Sequence, residues 1–143
     1  MYKPDQSLDR FLQAQEFHYA EALAELRAGR KRGHWMWYVL PQLRGLGYSQ
    51  MSREYGLSGQ PEALDYFRHP VLGPRLVECV TAVLTHADRA ATDILGQIDA
   101  MKFRSCLTLF SMVAPEEPCF QAALEAFYRG ALDPETLKLL GKL

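Results

Sequence analysis

The chain has 143 residues, 48% of them hydrophobic and 23% charged, with a formal net charge of −1. That length suits one domain, residues 1–143, with a real core, and folding would remove about two-thirds of the surface an unfolded chain exposes. The composition excludes a disordered chain, and no apolar run approaches the ~20 residues of a membrane span, so no membrane partner is expected. The polar start from Met1 to Arg10 lacks the apolar stretch of a signal peptide, and the chain is therefore expected in the cytoplasm.

In chain order, Ser7 is the expected N-cap of a first helix that reaches Ala28 and stops at Gly29. Leu8, Phe11, Leu12, Tyr19, Ala22, Leu23 and Leu26 recur at helical spacing and form its core stripe. Gln15 lies on the same stripe and must find hydrogen-bond partners there. The run from His34 to Leu40 has no clean period and suits either a helical turn or a buried extended segment. Gly45-Leu46-Gly47 reads as a tight turn, and Ser49 caps a short helix through Tyr55.

Pro61 opens another short helix, which stops near His69-Pro70. A helix follows Gly73-Pro74 as far as about His86, and a brief one runs from Ala91 to Leu95. From about Ile98 to Val113 the apolar residues go nearly all round, which predicts a helix buried in the middle of the domain. Two more close the chain, one from Pro118 to Arg129 and one capped by Asp133 with Pro134 at its first position. The sum is about seven helices and at most a trivial strand pair, a compact all-α bundle.

Charge is unevenly placed. No acid lies between Glu25 and Glu54, whereas Arg27, Arg30, Lys31, Arg32, Arg44 and Arg53 do; the other ten cations face all seventeen acids. A local positive field of this kind favours an anionic partner. The same window carries Trp35, Trp37, Gln42, Ser49 and the glycine turn, so it can offer cations to a phosphate and ring faces to a planar base. A solvated basic turn beside a Trp-rich core segment would have the same composition. On the buried helix, Asp99 and Lys102 are spaced for an ion pair, and Ser105 and Thr108 add hydroxyls. That set reads either as a structural pair or as a pocket wall where Lys102 meets an anion.

Catalytic signatures are sparse. There is no G-x-S-x-G, and Cys79, Cys106 and Cys119 make no C-x-x-C. His18, His34, His69 and His86 lack metal-ligand spacing, so neither a metal nor a cofactor is expected. If there is chemistry, His34 or Asp99 would handle protons, with Lys31 and Lys102 neutralising ligand charge.

Six segments carry a family resemblance. They are Phe11-x-x-Ala14-Gln15-x-x-x-Tyr19, His34-Trp35-Met36-Trp37, Pro41-Gln42-x-x-Gly45-Leu46-Gly47-x-Ser49, His69-Pro70-x-Leu72-Gly73, Asp99-x-x-Lys102-x-x-Ser105-x-x-Thr108 and Phe127-x-x-Gly130-x-x-Asp133. Together they resemble the DUF1810 family of small bacterial and fungal proteins over nearly the whole chain. Leu40 stands where that family usually has phenylalanine, and Cys106 where a second serine is common. The resemblance implies a fold and a pocket, and a link to NAD or ADP-ribose metabolism. Some members carry the label calpastatin, which this compact, apolar sequence does not support.

The leading expectation is a pocket that binds, and in a stronger form hydrolyses, a small anionic nucleotide-like or ADP-ribose-like ligand. Gln15, Lys31, Trp35, Trp37, Gln42, Ser49, Lys102, Ser105 and Thr108 would bind it, with Lys31 and Lys102 on opposite walls. The alternatives are a protein-interaction module using the basic 27–53 surface and, ranked last, a nucleic-acid-binding domain with bases stacked on exposed tryptophans.

Overall fold

The computed structural model describes residues 4–142, with side chains from Leu8 onward. Among them nine helices follow one another: α1 Pro4–Ala28, α2 Met36–Val39, α3 Gln50–Tyr55, α4 Gln60–Arg68, α5 Leu72–Leu84, α6 Ala91–Leu95, α7 Gln97–Val113, α8 Pro118–Tyr128 and α9 Pro134–Leu139. The fold is all-α, and the extended pairing among the described residues is an isolated parallel bridge between Leu43 and Leu57. Beyond the segments read as helical from the sequence, the ambiguous His34–Leu40 run supplies one further helical turn, α2.

Two helix starts differ from the sequence reading. Ser7 lies inside α1 rather than at its cap. α5 begins at Leu72, ahead of Gly73-Pro74, because a proline in the first turn loses no intrahelical bond. Its opening amides are capped from outside the helix: His69 Nδ1 accepts from the N–H of Val71 at 3.1 Å and of Leu72 at 3.2 Å. Gly73 lets α5 start this close to α4, since a Cβ there would lie 1.9 Å from the Phe67 carbonyl oxygen.

α7 packs against α4, α6, α8 and α9 and is the middle of the bundle. Phe103, Cys106, Leu107 and Phe110 on it are fully buried, and Phe110 stacks on Phe120 of α8 at 5.5 Å. Its first turns depart from that pattern. Ile98 and Met101 are each 70% exposed, so before Phe103 the helix buries only Ala100. Gln15 does face the core from α1, where its amide donates to the Tyr38 carbonyl at 2.7 Å and the Tyr66 hydroxyl at 3.0 Å.

One guanidinium joins three early elements. Arg10 of α1 meets both oxygens of the buried Glu62 on α4 at 3.1 Å, and also donates to the carbonyls of Glu54 in the last turn of α3 and of Gly56 just after it. Burial alone would raise the Glu62 carboxyl, but the bonds from Arg10 and from the Ser58 N–H outweigh it and hold it below the usual range. A carboxyl depressed on folding contributes stability above its unfolded value of about 4.3, and that stability is lost as pH falls through the lower folded value. Urea titrations at pH 7 and pH 3 should therefore show a smaller acid loss in Glu62→Gln than in the parent chain. An equal loss in both would assign the acid sensitivity to other carboxylates.

Candidate functional site

The loop after α1 is built on one carboxylate. Glu25 Oε1 accepts from the N–H of Arg32 at 2.8 Å, the N–H of Gly33 at 2.9 Å and Trp35 Nε1 at 2.8 Å. Burial pushes the Glu25 carboxyl up, but these three donors prevail and hold it below the usual range. A Cβ at Gly33 would lie 2.8 Å from the buried Trp35 ring, so the turn also depends on glycine. Lys31 N donates to the Ile94 carbonyl at 2.8 Å, which brings the loop to the start of α7.

There Lys31 Nζ lies 2.7 Å from Asp99 Oδ2, and Lys102 Nζ lies 3.5 Å from Asp99 Oδ1. The lysines stand on different tryptophans. Lys31 Nζ is 4.9 Å from the Trp35 ring centre and Lys102 Nζ is 3.7 Å from that of Trp37, both within reach of a cation–π contact. The three charged side chains are 7% (Lys31), 19% (Asp99) and 22% (Lys102) exposed.

Next to this triad opens a cleft of about 300 Å³. Trp37, Gln42, Leu46 and Gly47 line one wall, and Ile98, Met101, Lys102, Arg104 and Ser105 of α7 line the other. Asp133 and Glu135 at the start of α9 complete it. Arg104 donates to the carbonyls of Ala131 at 2.8 Å and Leu132 at 2.6 Å, and its remaining N–H groups make no protein hydrogen bond among the described residues. Asp133 Oδ2 is occupied within the protein: it accepts from Ser105 Oγ at 3.0 Å and from the Thr136 N–H at 3.1 Å and hydroxyl, capping α9.

Gln42 is 8% exposed. Its backbone is fixed, with the carbonyl accepting from the Leu57 N–H at 2.9 Å while Arg44 N donates to the Leu57 carbonyl at 2.8 Å. The alternation of this short extended stretch turns Leu43 into the core and Gln42 towards the cleft. Its side-chain amide makes no hydrogen bond within the described residues. None of their fully enclosed side-chain polar atoms lacks a partner, so the Gln42 amide atoms are reachable from the cleft.

Residues 5–140 match a family model described as "Protein of unknown function (DUF1810)". The chain belongs to the DUF1810 family. It is similar to the conserved hypothetical protein Rv1873 from Mycobacterium tuberculosis, whose crystal structure was determined at 1.38 Å. The identity is 46%, the TM-score 0.92, and the alignment covers 94% of this chain and 96% of that one. No curated protein matches.

Of the site residues expected from sequence, this DUF1810 chain brings Trp37, Gln42, Lys102 and Ser105 together at the cleft. Lys31 and Asp99 stand behind Lys102 rather than across from it, because Asp99 draws both ammonium groups to itself. Trp35 is 1% exposed and is held by Glu25, a core position. Gln15 and Thr108 are fully used by the protein; the Thr108 hydroxyl donates to the Arg104 carbonyl at 2.8 Å and accepts from Asp133 N at 2.9 Å. Ser49 caps α3 by accepting from Ser52 N. His34 is exposed and does not line the cleft.

Arg104, Met101, Asp133 and Glu135 were missed as cleft residues. The turn between α8 and α9 reaches Arg104 from 27 and 28 positions away, a pairing that local spacing does not announce. The cysteines offer no nucleophile. Burial pushes Cys79 and Cys119 up to about 12 and Cys106 well above the ordinary thiol range.

Removing the central carboxylate leaves two partly buried ammonium groups facing each other. Asp99→Ala should cost about 3 kcal/mol in a urea titration. In Asp99→Ala/Lys31→Met, which removes one of the two charges, much of that loss should be recovered. A single-variant loss under about 1 kcal/mol would mean solvent already screens the triad.

Proposed function

We propose that the cleft binds a small nucleotide-like anion, with its planar part against Leu46 and Met101 and its charge near Lys102 and Arg104. The observation that carries this reading is the Lys102 ammonium, held loosely at 3.5 Å by one Asp99 oxygen and lying over Trp37 in the cleft wall. An ammonium so placed can leave its carboxylate for a phosphate oxygen at little cost, and Arg104 keeps free N–H groups beside it. Lys102 and Arg104 stand beside equal and opposite formal charge on Asp133 and Glu135, but Asp133 Oδ2 is turned to the α9 cap and Glu135 is exposed, so the two cations are the groups left to meet a ligand's charge.

The volume limits the ligand. Small-molecule sites span roughly 300–1,000 Å³, and a cleft of about 300 Å³ suits a mononucleotide or one end of an ADP-ribose-like molecule. Binding is favoured over hydrolysis. His34 lies outside the cleft, and both Asp99 oxygens already face ammonium groups.

The interaction-module reading draws its support from Arg30 and Arg32, which are exposed and away from the cleft. Base stacking on tryptophan finds none, since Trp35 is buried and Trp37 is covered by Lys102.

Isothermal titration of AMP and ADP-ribose should show binding to the parent chain. Lys102→Met should weaken it at least tenfold, while urea titration changes by less than about 1 kcal/mol because Lys31 keeps Asp99 paired. If neither nucleotide shifts the melting temperature at millimolar concentration, the proposal fails.

A further inference from the structure

Lys102 and Arg104 explain where charge would go but not which ring the cleft would accept. Gln42 addresses that. It is the cleft side chain that is nine-tenths buried, held by a fixed backbone, and left with its amide N–H and C=O unused by the protein. Ser105, buried to the same degree, differs in that its hydroxyl is committed to the Asp133 carboxylate and the Met101 carbonyl. Gln15 shows how this chain treats a glutamine that serves structure alone: Tyr38 and Tyr66 take its NH₂ group and Arg75 its oxygen.

We infer that Gln42 is the specificity-determining residue of the cleft and selects a flat ring whose edge carries a hydrogen-bond donor next to an acceptor. This rests on the nucleotide reading above and narrows it to bases with an amino group beside a ring nitrogen, as in adenine. An amide offers one NH₂ donor group and one carbonyl acceptor about the same distance apart as that pair of base atoms, which is why glutamine pairs in bidentate fashion with an adenine edge. A ring with two adjacent acceptors, once seated over the cleft, leaves the Gln42 carbonyl covered and unpaired, and one with two donors leaves the NH₂ group so. Sites of this type reject the mismatched ligand strongly, because the cost falls on a buried group that water no longer reaches.

The surroundings fit a flat ring. Leu46 on one wall and Met101 on the other give apolar faces, and the thioether of methionine adapts to an aromatic plane. Gly47 in the same wall adds no side chain to obstruct the ring's approach.

The test compares AMP with purine riboside 5′-monophosphate, which has the same ring, sugar and phosphate but lacks the amino group. Titration calorimetry should give the parent chain about a tenfold or greater preference for AMP. Gln42→Leu should bind the two equally, and Gln42→Glu, whose carboxylate has no NH₂ group but can still accept from the amino group, should keep part of the preference. Lys102→Met should weaken both nucleotides alike and leave their ratio unchanged. Equal affinity of the parent chain for the two nucleotides, or a preference that survives in Gln42→Leu, would overturn the role of Gln42 while leaving the nucleotide cleft standing. No binding of either would overturn the cleft reading itself. A circular-dichroism melt of Gln42→Leu close to the parent's separates lost recognition from lost fold.

Discussion

Asp99 occupies the first turn of α7, where a carboxylate already gains from the helix dipole. Lys31 reaches it from the loop after α1 and Lys102 from one turn further along its own helix. Each ammonium also lies near a tryptophan, so the carboxylate fixes not only two charges but the register of the 31–37 segment against α7. The cleft depends on this. Trp37 and Lys102 belong to opposite walls, and the charge and ring contacts between them set how far apart those walls stand.

The basic segment does not line the cleft with its own cations. Of the six cations in the acid-free window, Lys31 is taken by Asp99, Arg27 by Glu78, and Arg44 and Arg53 by nearby carbonyl groups. The cleft's cations are Lys102 and Arg104, which come from α7 and not from that window. Composition counts charges along the chain, whereas the field at a site depends on which of them have been spent on neighbours.

What was legible in the sequence follows from the range of the interactions involved. Helical periodicity reports burial directly, and so the all-α fold and the central place of α7 could be read from it. Glutamines were harder. Gln15, on a core stripe, and Gln42, in the aromatic basic window, were both expected to bind a ligand, and only the structure separates them: one meets Tyr38, Tyr66 and Arg75, and the other makes no side-chain hydrogen bond among the described residues. Trp35 and Trp37 are two positions apart and differ in the same way, because Glu25 binds the indole N–H of one while Lys102 covers the face of the other. Such differences arise between residues 10 to 65 positions apart, beyond what local spacing encodes.

α7 is thus two helices in function. From Phe103 onward it is core, and its fully buried Phe103, Cys106, Leu107 and Phe110 fix its position against α4 and α8. Its first turns expose Ile98 and Met101, and the cleft-facing side of the helix carries Lys102 and, just past Phe103, Arg104 and Ser105. A side chain carried on the protruding end of a packed helix inherits that helix's rigidity, which a loop cannot supply. Gln42 gains a similar fixity from the Leu43–Leu57 bridge. The groups that face the cleft are therefore placed before any ligand arrives, and little ordering cost would fall on binding.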